Sequence, residues 1–184
     1  EISSAFGNYL VNGIDNRDNY YMKKVYMSCV RAIDFLTSQP DWDGKNVIVQ
    51  GGSQGGALAI VTAGLDKRVT ACVANHPALS DMAGYKAGRA GGYPHLFKNY
   101  KGMDTPEKIS TLAYYDVVNF AKQIKVPVYI TWGYNDDTCP PTTSYIVYNV
   151  LNCPKEALIT PVNEHWTSED TEYGHLLWIK KHLK

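Results

Sequence analysis

Residues 47–60, VIVQGGSQGGALAI, place Ser53 in the pattern G-x-S-x-G, formed by Gly51, Gly52, Ser53, Gln54 and Gly55. A short β-branched run precedes the serine and an apolar helical run follows it, which is the context of a nucleophile elbow. In such a turn the serine oxygen stands exposed, and glycines let neighbouring backbone come close. Gly51 and Gly55 are expected to supply that room. A helix starting near Gln54 aims its free N–H groups at the place where an oxyanion would form, so the Gln54 backbone N–H is the expected first donor. An activated serine needs a base and an acid, which in this type of hydrolase follow it in the order acid, then histidine, each just past a later strand. After PVYITWG comes YNDDTCPP, with Asp136 or Asp137 as the acid; after EALITPV comes NEH, with His165 as the base. His165 would take the Ser53 proton and return it to the leaving group, while the acid holds the imidazole tautomer.

Other candidates fit less well. His175 and His182 fall in a closing helical run among Leu176, Leu177 and Trp178, where packing or surface exposure is the plainer reading. His76 ends the second strand and could line the site with Pro77. Asp81 could serve as an acid placed after that strand, but it lies far from the strand end.

The elements that must deliver these residues follow from hydrophobic spacing. Tyr21, Val25, Cys29, Ile33 and Leu36 recur at three or four residues, marking one face of a helix that ends before Pro40. PDWDGK is then a turn. NVIVQ, VTACVA, PVYITWG and EALITPV read as strands, and apolar residues on both faces suit a parallel sheet covered on both sides. Between and after them, helices are expected over QGGALAIVTAGL, residues 112–124, TTSYIVYNVLN and residues 170–183. Alternating strands and helices define an α/β fold with a parallel sheet flanked by helices. The polar, Gly-rich and Tyr-rich stretch 77–111 is too long for a routine connection and is expected to be an insertion that walls the pocket.

Composition bounds the rest. The 184 residues are 45% hydrophobic and 20% charged, enough for one domain over 1–184 with a continuous core. Lys plus Arg number 18 against 18 for Asp plus Glu, so no global field favours nucleic acid or anionic lipid. No apolar run is long enough to cross a bilayer, and the start, EISSAFGNYL, lacks a signal-peptide pattern, so a soluble chain is expected. Cys29, Cys72, Cys139 and Cys153 show no metal-ligand spacing. Cys29 and Cys72 read as core, and a helix between Cys139 and Cys153 holds them too far apart for a bridge. No sequon argues for glycosylated secretion, and the compartment stays open between cytoplasm and secretion.

Taken together, GNYLVNGI, YYMKKVYMSCVRAIDFL, VIVQGGSQGG, the run from LAYYDVVNF to TSYIVYN, and PKEALITPVNEHW resemble the acetyl xylan esterase and cephalosporin C deacetylase family, carbohydrate esterase family 7. QGGSQGG together with G-x-x-D-x-x-C-P-P-[ST]-T, here residues 133–143, gives the likeness its specificity. The resemblance implies an α/β-hydrolase fold and deacetylation of acetylated sugars such as xylo-oligosaccharides through an acyl-enzyme, without metal or cofactor. It places the nucleophile on Ser53, the acid on Asp136 rather than Asp137, and the base on His165. Trp166 stands where many members carry Glu, and residues 80–101 match poorly, so the pocket should differ in detail. The resemblance also implies eight strands. These residues would be the carboxyl-terminal half, with the second oxyanion donor on a missing amino-terminal half and an apolar edge at 46–50 covered by that half or by a homo-oligomer. The competing readings are a peptidase resembling the prolyl oligopeptidase group and a non-catalytic module of the same fold.

Overall fold

The computed structural model describes residues 7–184; the first part of the start that lacks a signal-peptide pattern, residues 1–6, lies outside them. After a series of turns, the elements are α1 (Tyr21–Ser38), β1 (Ile48–Gly52), α2 (Gln54–Leu65), β2 (Ala71–Asn75), α3 (Leu96–Asn99), α4 (Pro106–Tyr115), α5 (Val117–Ala121), β3 (Val128–Gly133), α6 (Pro141–Val150), β4 (Lys155–Thr160) and α7 (Glu169–His182). The four strands form one parallel sheet in the order β1-β2-β3-β4. Each strand therefore ends at the same edge of the sheet, and the loops after β1, β2, β3 and β4 meet there.

Two layers of helix explain why the strands carry apolar residues in succession. Cys72 and Ala74 point into the main core with Ile60, Leu112, Ile124 and Val147, whereas Ala71 and Val73 pack against Trp178 of α7 on the opposite face. Every residue of β2 is buried, as expected for a strand enclosed between helices. β1 is an edge strand, paired only with β2 among the described residues. The closing helix starts with Ser168 accepting the Thr171 N–H at 3.2 Å and carries acidic residues in its first turn and Lys180, Lys181 and His182 in its last. Those charges complement the helix dipole. No described helix is long and apolar enough to cross a membrane.

The expected helix over 112–124 is two helices. α4 begins earlier, with Pro106 in its first turn and the Thr105 hydroxyl accepting from Lys108 N–H. The chain then breaks at Asp116, whose backbone is extended at φ −64°, ψ 127°. Asp116 accepts backbone N–H groups from Val118 at 3.0 Å, Met82 at 2.8 Å and Asp81 at 3.1 Å. One carboxylate thus caps α5 and ties down the start of the 77–105 stretch. That stretch is far from structureless: a 3-10 turn at Gly84–Ala87 and the single turn α3 are anchored by buried Leu79, Met82, Leu96 and Met103. Cys72 is buried as expected, but Cys29 is only half-buried, and all four thiols are free.

Removing Asp116 leaves one buried and two partly buried N–H groups without this acceptor. Asp116→Ala should destabilise the fold by about 3 kcal/mol in a denaturant titration, with Asp116→Asn losing less.

Candidate active site

β1 delivers Ser53 into a turn that few side chains tolerate. Its backbone lies at φ 55°, ψ −120°, a sparsely populated conformation that persists only when its surroundings hold it. They do so from both sides. The Ser53 N–H donates to the Asn75 carbonyl at 2.9 Å, and the Ser53 carbonyl accepts from Ala57 and Ala78, each at 3.0 Å. Gly51 is required because a Cβ there would lie 2.3 Å from the carbonyl carbon of Gly55. The second glycine that makes room is Gly56, whose Cβ would lie 2.8 Å from the Asn75 carbonyl oxygen. Gly55, expected in that role, would meet no atom within 4 Å, because its free side faces open space. Gln54 opens α2, so its N–H has no acceptor within the helix; its side-chain oxygen is held by the Tyr9 hydroxyl at 2.9 Å.

The two partners arrive from β3 and β4. Asp136 is buried beyond the end of β3, and its Oδ1 accepts the N–H groups of Thr138 at 3.0 Å and Cys139 at 2.7 Å. Its Oδ2 lies 2.8 Å from Nδ1 of His165, and Nε2 of His165 lies 2.8 Å from the Ser53 oxygen. With a carboxylate at Oδ2, Nδ1–H is the donor. Nε2 then carries the lone pair and accepts the Ser53 hydroxyl proton. Asp137 faces solvent and takes only a long contact from the Thr138 hydroxyl at 3.4 Å. The structure therefore brings Ser53, Asp136 and His165 together and leaves Asp137 out. Asp81 is also elsewhere, paired with Arg89 at 2.7 Å.

His76 lies directly beside His165, with ring centroids 4.3 Å apart at a 45° tilt. It is 6% exposed and its Nδ1 is buried without a partner. Burial, reinforced by His165, pushes its pKa down to about 4, so the ring is neutral near pH 7. Pro77, next in the chain, is buried. Trp166 is half exposed on the His165 loop. His76, Asp136 and His165 each present a ligand atom within 4.8 Å of the others, a geometry that could hold a metal ion. Asp136 and His165 are already hydrogen-bonded to each other and His165 to Ser53, so an ion held by them would compete with that chain of hydrogen bonds.

Sequence reasoning missed the layer beneath these residues. His175, read as helix packing or surface, is buried, and its Nε2 lies 3.0 Å from the Thr131 hydroxyl. Thr131 donates to Asn75 Oδ1 at 2.6 Å, and Asn75 Nδ2 donates to the Thr167 hydroxyl. The available signal was a polar residue, Asn75 or Thr131, inside an otherwise apolar strand. His182 does pack as expected, stacked on Trp178 at 3.8 Å. A cavity of about 350 Å³ lined by Gln50, Gly51, Gly52, Asn75, Thr167, Glu172, His175 and Leu176 opens beside the elbow on the β1 side.

A strained serine between a parallel strand and a helix, with histidine and aspartate supplied from later strand ends, defines an α/β-hydrolase. Within that class the chain belongs to the acetyl xylan esterase (AXE1) family, whose sequence profile matches residues 2–182. The acetyl esterase Axe7A of Xylanibacter ruminicola is 71% identical over 187 residues, covering 100% of this chain and 42% of that protein. An acetyl xylan esterase from a Paenibacillus species superposes with a TM-score of 0.84 at 33% identity, covering 93% of this chain and 56% of the other. Acetyl xylan esterase 1 from a Thermoanaerobacterium species gives 0.84 at 25% identity, covering 97% and 59%. The chain thus spans between two fifths and three fifths of the length of these relatives.

The depressed pKa of His76 has a consequence for stability. The unfolded chain takes up this proton below about pH 6.5, whereas the folded chain resists until about pH 4. Stability from His76 is therefore complete above pH 6.5 and is lost as pH falls toward 4, by up to about 3 kcal/mol. Denaturation followed from pH 7 to 4 should show a shallower decline in His76→Phe than in the unsubstituted protein.

Proposed function

We propose that this chain carries the catalytic triad of a serine esterase that removes acetyl groups from carbohydrate, with acetylated xylo-oligosaccharide as its substrate class. The observation that carries the reading is the unbroken hydrogen-bonded run from Asp136 through His165 to Ser53, in a chain of the acetyl xylan esterase family. His165 Nε2 accepts the Ser53 proton as the serine oxygen bonds to the acetyl carbonyl carbon. The carbonyl oxygen becomes an oxyanion facing the Gln54 N–H at the start of α2. Collapse breaks the bond to the sugar oxygen, which takes the proton from His165 and leaves as the alcohol. Water then gives a proton to His165, attacks the acetyl-serine and releases acetate, with the proton returning to Ser53. Asp136 stays ionised and stabilises the imidazolium in each half.

His76, Pro77 and Trp166 are the proposed pocket walls, and the segment 77–111 is the proposed insertion bordering the site within one hydrolase domain. A second oxyanion donor is proposed to come from outside these residues, and a homo-oligomer is proposed by resemblance. Neither cofactor nor nucleic acid enters the mechanism.

Acetate release from acetylated xylo-oligosaccharides tests the reading. Ser53→Ala should abolish it, falling by roughly 10⁴-fold or more, while Asp137→Asn should stay within a few fold of the unsubstituted protein. Release that survives Ser53→Ala would refute the assignment.

A further inference from the structure

The loop that carries His165 has no regular structure between β4 and α7, yet the Ser53–His165 contact has to be kept at hydrogen-bond distance for proton transfer. Misplacement by about 1 Å can cost on the order of 10² in rate, so something must fix this loop relative to the elbow. Asn75, the last residue of β2, touches both. Its backbone carbonyl accepts the Ser53 N–H at 2.9 Å. Its side-chain Nδ2 donates to the hydroxyl of Thr167, two residues beyond His165. Its Oδ1 accepts the Thr131 hydroxyl at 2.6 Å.

With the Asn75 amide oriented so that Nδ2 meets Thr167 and Oδ1 meets Thr131, the remaining directions in this run follow. Thr131 has one hydroxyl hydrogen, spent on Asn75 Oδ1, which can only accept. The His175 nitrogen 3.0 Å away must then be an N–H donor to Thr131, which sets the His175 tautomer as Nε2–H. His175 sits on α7, the helix immediately after the His165 loop. The loop is thereby tied to the sheet near its end, through Thr167 to Asn75, and again through the helix that follows it. Asn75, Thr131 and His175 are all buried, where a complete network is rigid and a broken one costly.

We propose that Asn75 is a positioning residue that holds Ser53 and His165 in register, with Thr131 and His175 fixing the orientation of its amide. It acts through the backbone of one reacting residue and the loop of the other, without itself touching the substrate. The proposal rests on the esterase reading above.

The test uses the protein in its full length, with Asn75→Leu, Thr131→Val and Thr131→Ser. Active sites are counted by stoichiometric uptake of a serine-reactive phosphonate, and acetate release is expressed per titrated site. Asn75→Leu should lower kcat per site by about 10- to 100-fold with KM changed less than about threefold. Thr131→Val should lower it by roughly tenfold, and Thr131→Ser, which keeps the hydroxyl, should restore most of that loss. If Asn75→Leu fails to fold, the two Thr131 variants decide alone. Fewer titratable sites with unchanged kcat per site would make the network a stability element and overturn the proposal. So would equal loss in Thr131→Val and Thr131→Ser. An unsubstituted protein that neither takes up phosphonate nor releases acetate would instead overturn the esterase reading, and this proposal with it.

Discussion

The site depends on the backbone of one residue, Ser53, being held where an L-amino acid resists going, at φ 55° and ψ −120°. Such a conformation costs on the order of 1–3 kcal/mol and would relax if its neighbours allowed it. The parallel pairing of β1 with β2 prevents that relaxation. It aligns Gly52 with Asn75 and so places the Asn75 carbonyl under the Ser53 N–H. Two more N–H groups, from Ala57 and Ala78, take the Ser53 carbonyl, and the glycines at 51 and 56 let the flanking backbone close to contact. The strain is thus balanced by three hydrogen bonds, one to the first turn of α2 and two to the end of β2 and the loop after it, and the side-chain oxygen is left where His165 can reach it.

The surrounding chemistry is sorted by burial. Asp136 is buried, and its Oδ1 is satisfied by two backbone N–H groups. His76, also buried, has no hydrogen-bond partner at Nδ1 and stays neutral, so a second imidazole lies against His165 without adding a charge to the site near pH 7. The start of α2 adds a fixed positive potential where negative charge would develop. Each effect comes from a sheet that ends all its strands on one side, which is why residues far apart in sequence share one small volume.

How much of this was readable in the sequence follows from what each signal depends on. β2 and β3 were legible because burial on both faces forces runs such as ACVAN and VYITWG, whereas β1 and β4, only partly buried, were legible from their short apolar runs between turns. Ser53, Asp136 and His165 were legible because the elbow is a local pattern and the strand ends are countable. The break at Asp116 was not, since the side chain that terminates α4 does so by binding residues 34 and 35 positions earlier, a contact that no local window contains. The choice of Gly56 over Gly55 depends on which direction a missing Cβ would point, and that is set only once α2 packs on β2. His175 shows the same limit: its helix has no clear apolar stripe to say which face is buried, and only the fold places its ring against Thr131.

The central proposal is that Ser53 acts as the nucleophile and carries the acetyl group between the two half-reactions. The most direct measurement is mass spectrometry of the protein quenched with acid during turnover of an activated acetyl ester, with the peptides mapped. An acetyl group is expected on the peptide containing Ser53 and is expected to be absent from Ser53→Ala. Acetate release with no acetyl group on Ser53, or with the label on another side chain, would contradict it.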